Sequence, residues 1–103
     1  MARLAVALLL VVAPAACSVS RPASGDTGEE IYRKLCGNCH GEGLEGSPLG
    51  RSLGPGSISA SQPGAYTEFA IVNGKGAMPS FELLLEERQV DRLIAYIREV
   101  QAG

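Results

Sequence analysis

The chain is 103 residues long, with 46% hydrophobic and 19% charged residues, which bounds it to one small domain. Nine basic against eleven acidic side chains give a net charge of −2, so there is no basic excess to neutralise phosphates and nucleic acid is excluded as a partner class. The sequence carries no internal repeat and no nucleotide-binding glycine motif.

Residues 1–16 differ in kind from the rest. Met1-Ala2-Arg3 is a short positive start, Leu4 to Ala13 an apolar run, and Ala15-Ala16 a small-residue cleavage site. This is the pattern of a secretory signal peptide, too short to remain as a spanning helix. It predicts an exported protein, periplasmic or on the outer face of a membrane. Cys17 follows at once. Its position resembles the lipid-modified cysteine of bacterial lipoproteins, although Pro14 stands where that pattern has an aliphatic residue. Lipid anchoring at Cys17 and ordinary cleavage nearby are both open at this point. Residues 17–26 are polar, hold Pro22 and Gly25, and read as a flexible spacer, leaving 27–103 as the folded domain.

Thr27-Gly28-Glu29-Glu30 matches the S/T-x-x-E capping box, so a helix is predicted to start here. Ile31 and Leu35 share one of its faces, and Gly28, Tyr32 and Cys36 share another. The helix runs into Cys36-Gly37-Asn38-Cys39-His40, a C-x-x-C-H string holding the chain's one histidine. That string is the attachment motif of c-type haem. On a helix the three side chains project together, so two thiols can add to the haem vinyl groups while the imidazole reaches the iron. A zinc site needs four ligands, and only Cys17 is left over. A thioredoxin-like pair needs alternating strands and helices, which the sequence lacks, and a plain disulfide has no use for the histidine. One covalently bound haem c is the expected cofactor.

From Gly41 to Gly64 the chain is rich in Gly, Ser and Pro and has no steady period. Leu44, Leu49, Leu53 and Ile58 punctuate it, as suits a loop wrapped over an apolar body. A short helix is predicted over 65–73, with Tyr66, Phe69 and Val72 on one side and Gly74 at its C-terminal cap. The breaker-rich segment 74–79 follows, ending in Met78-Pro79. The last helix is predicted over 86–101, its apolar face formed by Val90, Leu93, Ile94, Ile97 and Val100. A core this small is ordinarily completed by a staple or a cofactor.

With His40 at one end and Met78-Pro79 at the other, the chain resembles the small class I cytochromes c. The resemblance implies an all-α fold in which N- and C-terminal helices cross, with a short middle helix and long loops around one haem. In that family the crossing is made at positions matching Gly28, Tyr32, Leu93 and Tyr96. It implies Met78 as the second iron ligand opposite His40, a thioether suited to haem iron, with Lys75 the nearest alternative. It further implies a proline carbonyl, best matched by Pro48 and next by Pro55, holding the His40 ring. Arg51 is a candidate partner for a haem propionate, the alternative being a solvated arginine in a loop.

The expected function is that of an exported electron carrier meeting redox proteins, touching a membrane only through an N-terminal anchor. With both iron positions filled by protein there is no place for a small-molecule substrate, so no enzyme activity is expected. Other readings are a haem c subunit of a larger dehydrogenase or oxidase, a five-coordinate haem sensor or peroxidase-like protein, and a thiol–disulfide protein.

Overall fold

The computed structural model describes residues 20–103, together with Ala5 and Ala7. The rest of the predicted signal peptide, and Cys17, lie outside the described residues. Four helices follow in order: α1 (Gly28–Leu35), α2 (Gly37–His40), α3 (Gly64–Asn73) and α4 (Glu87–Ala102), with a 3₁₀ turn at Ser59–Ser61. There is no strand among the described residues, and the fold is the predicted all-α arrangement.

α1 starts where its capping box places it. The Thr27 hydroxyl accepts from the Glu30 amide at 3.1 Å and donates to the Glu30 carboxylate at 3.1 Å, so the carboxylate takes the capping hydroxyl rather than the Thr27 amide. Ile31 and Tyr32 are then fully buried against α4, where Leu93 and Ile97 meet them. Each such burial is worth about 1.5–3 kcal/mol over leaving the side chain in water. Gly28 is what lets the helices approach. A Cβ there would run into the carbonyl oxygen of Arg92 and lie 2.8 Å from the Cβ of Tyr96. Beside it the Tyr32 and Tyr96 rings sit 5.7 Å apart and tilted, a favourable edge-on geometry. The crossing implied by the cytochrome resemblance is therefore present in this chain.

α4 is wider in its duties than its apolar stripe predicts. Glu86 caps it, with Gln89 completing a reciprocal box. At its C-terminal end Arg98 donates to the carbonyls of Gln62 (2.6 Å) and Ser59 (3.3 Å), and Gln101 donates to the carbonyl of Leu53 (3.0 Å). At its N-terminal end Gln89 and Arg92 donate to the carbonyls of Ala23 (3.1 Å) and Ser24 (2.8 Å). The expectation of a loose spacer over 17–26 is thus not met in its second half. Residues 21–26 are strapped to α4, Pro22 is buried, and Asp26 pairs with Lys34 at 2.5 Å. The polar side chains of α4 thus bind neighbouring backbone at both of its ends.

α3 also departs from its predicted face. Its buried side chains are Thr67 and Ile71, while Phe69 is 64% exposed. Phe81 closes over this helix instead, its amide donating to the Ile71 carbonyl at 3.0 Å.

Candidate haem site

The predicted single helix through the C-x-x-C-H motif breaks at Cys36. α1 ends at Leu35, and Cys36 becomes the cap of the separate turn α2. The amides of Cys39 and His40 still donate to the Cys36 carbonyl, at 3.2 and 3.0 Å, so the three side chains remain on one helical turn. Their surroundings differ. Cys36 is 7% exposed and Cys39 is exposed. Burial, with Cys39 beside it, pushes the Cys36 thiol up to about 12. A thiol–disulfide nucleophile needs the opposite, a lowered and accessible thiol. Burial likewise raises the Tyr32 phenol, which stays protonated and donates to the Gly41 carbonyl at 2.6 Å. That bond ties the end of the motif to the helix crossing.

His40 is half-buried, and its Nδ1 lies 2.7 Å from the carbonyl oxygen of Arg51. This pins the ring and leaves Nε2 as the nitrogen with no protein partner among the described residues. The acceptor is neither Pro48 nor Pro55, as the resemblance implied. Ser47-Pro48-Leu49-Gly50 is a tight turn closed by backbone bonds of 2.9 and 3.2 Å between Ser47 and Gly50. Pro48 occupies the second position of that turn and shapes it rather than accepting from His40. The turn lies directly on the motif. Ser47 Oγ donates to the Cys39 carbonyl at 2.6 Å, and a Cβ on Gly50 would stand 2.8 Å from that oxygen and 3.1 Å from His40 Nδ1. Arg51 therefore acts through its carbonyl, while its guanidinium is exposed. The Ser–Pro–x–Gly order of a tight turn was the sequence signal for this contact.

Beyond the turn the loop is anchored by Leu44, fully buried at a positive φ of 64°. Such a conformation is strained for leucine and is held by its surroundings. Its carbonyl accepts from the Leu53 amide (2.9 Å) and from Ser52 Oγ (3.1 Å).

Met78 is half-buried and packs on the core, in a second tight turn whose backbone bonds with Lys75 are 3.1 and 3.0 Å. Gly76 takes the positive φ this turn requires (58°), and Gly74 at 77° leaves no room for a Cβ beside the Met78 carbonyl. Lys75 fastens the turn to α3, donating to the Tyr66 hydroxyl at 2.8 Å and lying 4.8 Å from its ring centre. That bond lowers the Tyr66 phenol from its usual range.

These residues fit a haem c. Two thiols stand on one turn, one imidazole has its orientation fixed from behind, and the lone methionine of residues 20–103 sits in a rigid turn. The loop's Leu49 and Ile58 are 75% and 60% exposed, apolar side chains suited to a macrocycle face.

The comparisons agree with this geometry. Residues 23–97 match the family model described as cytochrome c oxidase, cbb3-type, subunit III. Cytochrome c6 of Euglena gracilis is 31% identical over 80 residues, covering 74% of this chain and 91% of that protein. Among solved structures, the c-type cytochrome NirC shows a TM-score of 0.61 at 26% identity, covering 70% of this chain and 85% of its own. The dihydro-haem d1 dehydrogenase NirN shows a TM-score of 0.61 at 36% identity, over 69% of this chain but only 15% of that one. The chain belongs to the class I c-type cytochromes. It is a haem c protein of electron transport, among relatives that are electron carriers.

Proposed function

We propose that this protein is an exported single-electron carrier in which Cys36 and Cys39 form the haem thioethers and His40 and Met78 ligate the iron. The haem, when bound, supplies a one-electron Fe(II)/Fe(III) couple. The chain's part is to hold that couple still and dry on one side. The Arg51 carbonyl keeps the His40 ring in one orientation and makes it a better donor. The Lys75–Met78 turn presents the thioether from a rigid backbone, and a weak sulfur ligand favours the reduced iron. The exposed Arg51 guanidinium is available to a propionate. With both positions filled by protein the site takes no substrate and the chain is not itself an enzyme. Electrons pass to and from redox proteins met at a small transient interface. Export by the leader at 1–16 places it in the periplasm or on the outer face of a membrane, with Cys17 as a lipid anchor.

The observation that carries the ligand assignment is the pair of built turns, one behind His40 and one beneath Met78. Met78→Ala tests it. The oxidised protein should lose its long-wavelength sulfur–iron band, its potential should fall, and carbon monoxide should bind the reduced form, while the fold persists. Retention of the band and potential overturns the assignment.

A second reading is a haem c subunit within a larger redox complex. The match to an oxidase subunit model and to a small part of NirN supports it. Isolation of the native protein as a stable stoichiometric complex decides for this reading, and a monomer reducible by soluble partners decides for the carrier.

A further inference from the structure

The anchoring proposed at Cys17 bears on the strap at 21–26, where the domain begins. Between Cys17 and Arg21 there are only three residues, 18–20, so the leash spans at most about 14 Å whatever its conformation. From Arg21 onward the chain is no longer free. Arg21 donates to the Leu83 carbonyl at 3.0 Å, Gln89 to that of Ala23 at 3.1 Å, and Arg92 to those of Ser24 and Asp26 at 2.8 and 3.2 Å. The strap and residues 83–89 enclose a small cleft of about 120 Å³, floored in part by the buried Pro22 and Leu85. At its rim Leu83 is 86% exposed, the most exposed of the four large apolar side chains at the domain surface. An apolar side chain at that level of exposure, where the anchor leaves the domain, has a ready occupant beside it.

We propose that the domain rests on the bilayer through this strap face, with Leu83 entering the lipid interface and Arg21 at headgroup level. The inference rests on the proposed anchoring at Cys17. Around the strap cleft the charged side chains are Arg21 and Glu86, one of each sign, so a zwitterionic phosphocholine surface suits it and anionic lipid is not required. α1 begins at the strap and runs about 12 Å to Leu35, after which the separate turn α2 holds the Cys36–His40 motif. The motif is thus separated from the anchor end by the length of α1, and the short leash limits how far the domain can move from its anchor.

The test uses the native lipidated holoprotein in phosphatidylcholine vesicles doped with a phospholipid carrying a diazirine in its acyl chain. After illumination, cross-links mapped by peptide mass should concentrate in 20–22 and 81–88. Leu83→Ser, an exposed change that leaves the core intact, should remove most of the 81–88 adducts. A long Gly-Ser linker inserted between Ser20 and Arg21 should lower cross-linking there several-fold while haem content stays the same. Adducts concentrated instead in 41–62 or α3, or unchanged by the linker, overturn the inference and leave anchoring in place. A native protein whose intact mass lacks the lipid increment overturns the anchoring reading itself.

Discussion

The α1–α4 crossing and the motif side of the molecule are built by different means. At the crossing, Ile31, Tyr32 and Leu93 are completely buried, and protein packs on protein. On the motif side, Leu49 and Ile58 point outward, and the loop is stitched by polar bonds from Arg98, Gln101, Ser47 and Ser52. Each such bond adds about 1 kcal/mol net, too little to order a long irregular loop against its conformational entropy. The crossing supplies the larger share of protein-on-protein burial, but in a chain this short that share does not fold the domain alone. The motif side needs the haem it wraps.

The largest break in that comparison is Cys36→Ala/Cys39→Ala. Without thioethers no haem should survive a denaturing gel stain, and residues 41–62 should lose their order. The apoprotein should show reduced helical circular dichroism and no cooperative melt, because what remains of the core is small. A double variant that melts cooperatively with full helicity would show that the loop holds itself.

Gly28→Ala attacks the other side. The added methyl meets the Arg92 carbonyl and Tyr96 Cβ, so the helices must part. Overpacking of this kind costs roughly 1–3 kcal/mol, partly offset by the better helix propensity of alanine. Thermal melting of the holoprotein should fall accordingly, with the reduction potential little changed. An unchanged melting temperature would mean the crossing is looser than these distances indicate.

The same division decides what was legible in the sequence. α1, α4 and their crossing carry periodic apolar residues, a capping box and a glycine, so residue pattern alone places them. The Cys36–His40 string and Met78 are equally conspicuous as letters, and their roles toward the haem belong to the proposed function. What escaped is backbone recognition by side chains. The His40 partner is the carbonyl of Arg51, and a carbonyl has no letter of its own in a sequence. The strap at 21–26 read as spacer because its ties come from Gln89 and Arg92, more than sixty residues away. α3 was misread for another reason. Its apolar residues surround the helix rather than forming a stripe, so the side holding Tyr66, Phe69 and Val72 is not the buried one; Thr67 and Ile71 are buried, and Phe81 packs there.

Gly50→Ala sharpens the comparison at the motif itself. Its Cβ would press on the Cys39 carbonyl and on His40 Nδ1, displacing the turn that carries the Arg51 acceptor. The stability cost should be about 1 kcal/mol, since an exposed turn yields more easily than a helix interface. The informative change is elsewhere. The proton resonance of His40 Nδ1–H should move and the potential should shift, because the ring's donor strength depends on that bond. An altered melting point with an unmoved resonance would assign Gly50 a purely structural role.

The smallest effect concerns the strap. Lys34 donates to Asp26 at 2.5 Å and the Ala23 amide donates to the same oxygen at 3.0 Å, and chiefly the Lys34 bond holds the Asp26 carboxyl below its ordinary 3.8. A carboxyl lowered in the folded state contributes stability that is fully present above its unfolded value. That contribution is lost as pH falls through the lowered folded value. Stability of the holoprotein should therefore be flat near neutrality with respect to this group and decline from about pH 4 downward. Asp26→Asn should remove that part of the acid limb while leaving the haem spectrum intact. The effect should be modest, since Lys34 remains 38% exposed and water screens the pair. Comparing acid unfolding of the two proteins checks this. Superimposable acid limbs would show that Asp26 does not secure the strap, and that the bonds from Gln89 and Arg92 hold it alone.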